Sequence, residues 1–316
     1  MFKNKMVSVV IPAHNEQKLI RKVLQSIPHW VDHICVVDDY SLDATSEKVR
    51  DRMESDTRIQ LIRHEENQGV GAAICSGYKA SLENQVDIAV VMAGDAQMDP
   101  DDLERLVLPI AEEGVDYTKG NRLFQGKAWD IIPRHRYIGN SILSLLTKIA
   151  SGYWHVADTQ CGYTAISTKA IQTIDLDNVY PRYGMPNDLL VKLNIADCSV
   201  RDVPVRPIYN VGEVSEIRIS RVVITISRLL LHCFFRRLVE KYVIRDFHPL
   251  VFFYTLGLIA FPAGFITGVY LFLFRIFSGP VSATSALFSA FLIISGLQFL
   301  LFAMWFDMEN NKGLKG

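Results

Sequence analysis

The sequence predicts an open, mostly parallel α/β sheet followed by two long apolar helices. Three observations lead there. Strand-like and helix-like segments alternate through the first half of the chain. Polar clusters follow the first, second and fourth strand-like runs. Between Asp246 and Asp307 the only formally charged side chain is Arg275.

Val7–Ile11 is a short β-branched run, and Leu19, Val23, Leu24 and Ile27 then recur at helical spacing. His33–Val37 reads as a second strand and Ala44–Met53 as a helix. Ile59–Ile62 is a third strand, followed by a helix rich in small residues over Gly71–Leu82. Asp87–Met92 is a fully apolar fourth strand, with a helix from Pro100 to Glu112. Val115–Thr118 and Tyr137–Ala150 continue as strand and helix. Repeated β-α order favours a parallel sheet with both faces covered.

Ligands on such sheets sit beyond the carboxyl ends of the strands. The segments in that place are Pro12-Ala13-His14-Asn15-Glu16, Asp38-Asp39-Tyr40-Ser41-Leu42-Asp43 and Gly94-Asp95-Ala96-Gln97-Met98-Asp99. Any one of them is explained by helix capping, since Ser41 and Asp43 are good N-cap residues. All three at one end of one sheet predict a shared crevice. Gly69-Val70-Gly71-Ala72-Ala73 has Ile74 where a dinucleotide fingerprint needs its third glycine, and it follows the third strand. Close packing of a helix is therefore expected there, and a nicotinamide dehydrogenase is not.

In their order and combination, Val-Ile-Pro-Ala-His-Asn-Glu, the Val-Val-Asp-Asp-x-Ser-x-Asp-x-Thr stretch at 36–45, Asn67-x-Gly69-x-Gly71 and Gly94-Asp95-Ala96-Gln97-Met98-Asp99-Pro100 resemble the family-2 glycosyltransferases, over roughly residues 5–210. The resemblance implies a GT-A fold, a Rossmann-like, mostly parallel sheet that binds a nucleoside-diphosphate sugar. Within the family, the two apolar C-terminal helices look most like enzymes that charge a dolichyl or undecaprenyl phosphate with one mannose or glucose.

The resemblance assigns roles residue by residue. Pro12, Ala13, Asn15, Glu16, Asp39, Gly94 and Arg122 fall where the family binds the nucleotide sugar, Asp39 at the base and Arg122 near the diphosphate. Asp38 beside it is read as stabilising the turn. Asp95 and Gln97 fall on the metal motif and are expected to hold Mg²⁺ or Mn²⁺ from an extended segment, with diphosphate and water completing the octahedron. Two residues depart from the pattern: Ala93 stands where the first aspartate of Asp-x-Asp is usual, and Tyr40 where a glycine is usual. If the backbone needs positive φ at position 40, the tyrosine carries strain.

Asp158 lies in the segment resembling the acceptor loop, and Asp188 in Asn187-Asp188, where relatives carry an acidic pair. With Asp95 they form the catalytic set. Arg136, Arg206 and Arg218 are the candidates for the acceptor phosphate. A phosphate monoester has its second pKa near ~6 and is already a competent nucleophile at neutral pH. The carboxylates therefore need only orient it or stabilise charge at the anomeric carbon.

Pro249–Phe274 and Ile276–Phe306 each exceed the ~20 apolar residues that cross a bilayer as a helix. The intervening Arg275-Ile276-Phe277-Ser278-Gly279-Pro280 carries turn residues, so the expectation is a hairpin. Before it, Arg221, Thr225, Arg228, His232 and Arg236 recur at helical spacing among apolar residues, the pattern of a helix lying in the headgroup layer. Basic residues concentrate ahead of the first span, which places the N-terminal domain and the tail in the cytoplasm of a cell-membrane protein. Met1-Phe2-Lys3-Asn4-Lys5 leads directly into a strand and does not read as a cleavable signal. The organisation is thus a catalytic domain over 1–212, a basic juxtamembrane segment over 213–247 and a transmembrane hairpin with its tail over 248–316.

A net charge of −1 in 316 residues gives no basic field for nucleic acid. Five scattered cysteines, none in a Cys-x-x-Cys pair, suit reduced thiols. A processive synthase would need more spans and a Gln-x-x-Arg-Trp motif, and neither is present. The competing readings are a catalytically degenerate scaffold that binds nucleotide or lipid, and transfer to another lipid acceptor. Assembly through the spans into a homo-oligomer is a further expectation.

Overall fold

The computed structural model describes residues 1–123, 134–206, 208 and 219–316, without the side chains of 134–138, 140 and 219–223. It divides into two compact units, residues 1–235 with 313–316, and residues 236–312.

The first unit is built on a seven-stranded sheet of order β3-β2-β1-β4-β6-β5-β7. The strands are β1 (Val7–Ala13), β2 (His33–Asp38), β3 (Ile59–Arg63), β4 (Ile88–Val91), β5 (Tyr117–Asn121), β6 (Thr164–Ser167) and β7 (Val200–Pro204). β1 pairs in parallel with both β2 and β4, so the ends of these strands point one way. β6 runs antiparallel to β4 and β5, which accounts for "mostly" rather than wholly parallel. β5 reaches Asn121, further than the apolar run Val115–Thr118, because Lys119, Gly120 and Asn121 keep pairing with β7. Arg122 therefore follows the strand directly.

Helices α1 (Ile20–Ser26), α2 (Thr45–Met53), α3 (Val70–Glu83) and α4 (Leu103–Glu113) connect the first strands. α5 (Arg134–Ser151), α6 (Thr168–Thr173) and α7 (Met185–Ile195) complete the domain. One core lies on the face carrying Val9, Ile11, Ile34, Val90, Leu106 and Val107. The other face carries Val10, Tyr78, Ala89, Val91, Leu189 and Leu190. Strands apolar on both faces are what a sheet covered on both sides requires.

The small residues of α3 serve close approach. A Cβ on Gly77 would stand 2.1 Å from Val10 Cγ1, so this glycine lets the helix lie on β1. Gly71 N–H donates to Pro181 O at 2.8 Å, and a Cβ there would meet Tyr180 O at 2.5 Å. The helix N-terminus is thus closed by the 180–185 turn.

α8 (Ile219–Val239) buries Ile226, Leu230 and Cys233 against Ala150 of α5 and Val191 and Ile195 of α7. Thr225, Arg228 and His232 face outward, together with exposed Ile224, Leu231 and Phe235. One apolar side of this helix docks on the domain itself, where the sequence suggested lipid. The side chain of Arg221 lies outside the described residues. The chain's last residues return to this unit, with Gly316 N–H donating to Val200 O at 3.2 Å and Leu314 packing on the core.

The second unit is a helical hairpin of α9 (Leu250–Phe277) and α10 (Ala283–Asn310), both long and apolar enough to cross a membrane. Gly257, Gly264 and Gly296 lie against Leu300, Ile293 and Phe261, close contacts that small residues permit. At the base of the hairpin Arg237 makes a buried bidentate pair with Asp307, at 2.7 and 3.0 Å. Tyr242 donates to the same carboxylate at 2.6 Å, and Lys241 reaches Asn311 at 3.0 Å.

Candidate active site

The segments after β1 and β2 are tied together by backbone and short polar side chains. Asp39 N–H donates to Ala13 O at 2.9 Å, and the His14 ring bonds Asp39 O at 2.7 Å. Asn15 N–H donates to Ser41 Oγ, while Asn15 Oδ1 accepts from Leu42 N–H, both at 2.9 Å. Asp38 accepts from Ser41 N–H and from the hydroxyl of Ser46, so it holds the turn, as the sequence suggested.

Asp39 is 4% exposed and braces the next loop. Its Oδ1 accepts from Gln68 N–H at 2.9 Å and bonds the His64 ring at 2.8 Å; its Oδ2 accepts from Gly69 N–H at 2.7 Å. His64 in turn meets Ser76 on α3 at 2.9 Å. The sequence reading missed His64 because a lone histidine after a third strand carries no pattern.

Positive φ marks each of the three candidate segments. Asn15 lies at 57°, Tyr40 at 61° and Ala96 at 58°. The left-handed region costs a non-glycine residue ~1–2 kcal/mol, and asparagine least. Tyr40 thus carries the strain its replacement of glycine implied. Strain held by surrounding hydrogen bonds is a common property of functional loops.

Gly94 closes the crevice between β1 and β4. Its N–H donates to Pro12 O at 3.3 Å, and a Cβ on it would touch Ala13 Cβ at 3.4 Å and Glu16 Cγ at 3.5 Å. Pro12, Ala13, Glu16 and Gly94 therefore meet. The 94–99 segment is a turn rather than an extended strand, since Asp95 Oδ1 accepts from Gln97 N–H at 3.0 Å across left-handed Ala96. The following helical turn is capped by Asp99, which accepts from Asp101 N–H, so Asp95 is not its cap. Burial, reinforced by Asp95 and Asp43, pushes the Glu16 carboxyl up to about 7. No group of three or more His, Cys, Asp or Glu fit to hold a metal occurs among the described residues. Hard oxygen donors from Asp95 and Gln97 nonetheless suit Mg²⁺ or Mn²⁺ when phosphate and water supply the other ligands.

A second cluster forms where β5 ends. Arg122 Nε and Nη2 donate to Asp158 at 2.7 and 3.1 Å, and Arg122 N–H adds a contact at 3.2 Å. Burial alone would raise the Asp158 carboxyl, but Arg122 holds it below its ordinary value. Lys119, fully buried, donates to Cys161 O at 2.6 Å, and desolvation lowers its pKa. Burial raises Asp202 beside it to about 6. Gln160 links outward, its N–H to Asp158 Oδ1 at 3.3 Å and its amide to Asn187 Oδ1 at 3.0 Å. Asp188 is buried and accepts from Tyr180 N–H at 2.9 Å.

The two clusters meet through the 94–102 segment. A Cβ on Gly162 would lie 3.5 Å from Met98 Cε, and Tyr163 Oη donates to Asp99 O at 2.9 Å. Ile208 N–H donates to Gln97 O at 3.3 Å. Arg206 faces Asp99 and Asp101 at 3.1 and 3.4 Å and Asp102 at 3.6 Å, partners the sequence did not foretell. Arg218 and the side chain of Arg136 lie outside the described residues.

Three strand ends converging on carboxylates, amides and strained turns make an α/β domain of GT-A type. A family model described as glycosyl transferase family 2 matches residues 8–175, and the chain belongs to that family and is a glycosyltransferase. It is 31% identical over 220 residues to the UDP-N-acetylglucosamine–dolichyl-phosphate N-acetylglucosaminyltransferase of Methanococcus voltae, covering 65% of this chain and 87% of that one. It is 26% identical over 202 residues to the undecaprenyl-phosphate mannosyltransferase of Micrococcus luteus, covering 63% and 82%. Glucosyl-3-phosphoglycerate synthase of Mycobacterium tuberculosis, crystallised with Mn²⁺ and UDP, shares the fold at a TM-score of 0.54 and 21% identity, over 74% of this chain and 80% of that one.

Proposed function

We propose that the protein transfers one sugar from a UDP- or GDP-sugar to a polyprenyl monophosphate, with inversion, at the cytoplasmic face of the cell membrane. The observation that carries this reading is a family-2 crevice and two membrane-length apolar helices in a single chain. Relatives named for dolichyl and undecaprenyl phosphate support the acceptor class.

In the reaction a phosphate oxygen of the lipid attacks the anomeric carbon, and the bond to the nucleoside diphosphate breaks. Asp95 and Gln97 would hold Mg²⁺ or Mn²⁺, which would supply charge stabilisation for the departing diphosphate. Among the described residues Asp39 Oδ2 accepts from the Gly69 N–H alone, which leaves acceptor capacity for a base N–H. Pro12, Ala13, Asn15, Glu16 and Gly94 line the nucleotide. Asp158, ionised and locked to Arg122, orients that guanidinium toward phosphate rather than accepting a proton. Asp188 fixes the 180–188 turn at the acceptor side. Arg136, Arg206 and Arg218 are assigned to the lipid phosphate, and Arg206 would have to exchange its Asp99, Asp101 and Asp102 partners to bind it. A nucleophile ionised at neutral pH needs no strong base.

Return of residues 313–316 to the catalytic unit supports a topology in which both termini share one side. The test is incubation of purified protein with polyprenyl phosphate, Mg²⁺ or Mn²⁺, and a panel of UDP- and GDP-sugars. A lipid-linked monosaccharide from one donor is expected. Nucleotide binding without product from any donor would favour the scaffold.

A further inference from the structure

The two faces of α10 differ in what they leave unsatisfied. Its inner face, through Ser289, Gly296 and Ala303, is buried in the hairpin. Its outer face exposes Leu287, Phe291, Ile294, Gln298, Leu301, Trp305 and Met308, a strict alternation of four- and three-residue steps. Such spacing alone decides nothing, because Phe252, Leu256, Ile259, Ile266, Tyr270 and Leu273 line the outside of α9 in a similar way.

Gln298 is the difference. It lies about 2 Å along the axis from the middle of Ala283–Asn310. In a bilayer its carboxamide would be roughly 15 Å from either headgroup layer, beyond the reach of a glutamine side chain. The hydroxyls of Thr255, Thr267 and Ser289 return to the carbonyls of Val251, Ala263 and Gly264. The Gln298 carboxamide has no such partner among the described residues. An unsatisfied polar group in hydrocarbon costs several kcal/mol, and a lipid tail has nothing to offer it. The residue also borders an apolar depression lined by Ile293, Ile294, Leu297, Leu301, Phe302 and Trp305. Ile294, Leu297, Gln298 and Leu301 stand at i, i+3, i+4 and i+7, the four corners of a hole that accepts one knob from a facing helix.

We propose that this face is a self-association seam, in which α10 of a second copy packs on α10 and the two Gln298 carboxamides hydrogen-bond to each other. Copies inserted with the same topology bring these helices together in parallel. A two-fold axis along the membrane normal then sets each Gln298 opposite its equivalent. Glutamine suits this pairing because it carries both donors and acceptors. The 3.5-residue repeat matches left-handed packing near +20°. The seam rests on the reading that α9 and α10 cross a membrane.

The test uses the full chain in liposomes. Resistance to carbonate extraction checks membrane insertion first. Ile294→Cys and Leu301→Cys are then oxidised beside Ile266→Cys on the outside of α9; all five native cysteines are buried. Disulfide dimers at 294 and 301 but not at 266 are expected. Gln298→Leu should weaken self-association about three- to thirty-fold in a dilution series, and Gln298→Asn should weaken it less. Equal cross-linking at all three positions, or an unchanged dissociation constant in Gln298→Leu, would overturn the seam. Carbonate-resistant protein that is monomeric when pure, pairing only in native membranes, would also overturn it in favour of a different spanning partner. Release by carbonate would sink the membrane reading and the seam with it.

Discussion

Asp158→Asn tests the logic of the second cluster. The carboxylate accepts hydrogen bonds from Arg122 Nε and Nη2 at 2.7 and 3.1 Å and from two backbone N–H groups at 3.2 and 3.3 Å. Asparagine keeps one acceptor and turns an NH₂ toward donors it cannot bond. Breaking a buried ion pair by removing one partner costs about 3–5 kcal/mol. Asp158 is 3% exposed and Arg122 26%, so water recovers part of the loss and the lower end applies, ~3 kcal/mol. For a unit of this size that is a fall of about 6–12 °C in Tm. Intrinsic-fluorescence melting of detergent-purified protein at pH 7 measures it. Asp51→Asn, which breaks the exposed Arg21 pair at 2.5 Å, is the control and should cost ~1 kcal/mol or less. The sign with pH is also fixed. A carboxyl held below 3.8 contributes stability above that value and loses it as pH falls through its lowered pKa. The gap between wild type and Asp158→Asn should therefore close in acid. A loss equal to that of Asp51→Asn at pH 7 would refute the buried pair.

Further outcomes follow from the same geometry. Gly71→Ala forces a methyl to within 2.5 Å of Tyr180 O and 2.7 Å of Met185 Cβ, and should cost about 1–3 kcal/mol in a melting assay. Glu16, raised from 4.5 to about 7, disfavours its charged form. Its contribution to the ligand-free protein is present below 4.5 and fades as pH rises through 7; Glu16→Gln should flatten that part of a Tm-against-pH curve. Asp95→Ala should lower sugar transfer by at least ~10²-fold, and chelation of divalent metal should mimic it.

The sheet was legible because apolar β-branched runs and helical spacings alternate without ambiguity through Glu112. Legibility declined at β5, where Lys119 and Asn121 are polar but remain in the strand because their side chains find buried partners, Cys161 O and Asp202. Periodicity cannot anticipate a polar strand whose charges are satisfied far away in sequence. The same limit hid the grip of Arg206 on Asp99, Asp101 and Asp102, formed by segments some hundred residues apart. Gly69 and Gly71 signalled close approach, but only the fold names the neighbour as the 180–185 turn. At the crevice, the motifs placed Pro12, Ala13, Glu16 and Gly94 together, and the structure brings them into contact. They did not indicate that the Asp95 segment turns back on itself at Ala96, since left-handed backbone at alanine has no sequence signal.

In the proposed reaction a lipid phosphate, not a hydroxyl, attacks the sugar. The most direct measurement of that step is mass spectrometry of the lipid fraction after reaction with the active donor, with polyprenyl phosphate and the matching polyprenol offered in equal amounts. One added sugar on the phosphate and none on the alcohol is expected. Glycosylated polyprenol, or a sugar polymer with the lipid phosphate untouched, would contradict it.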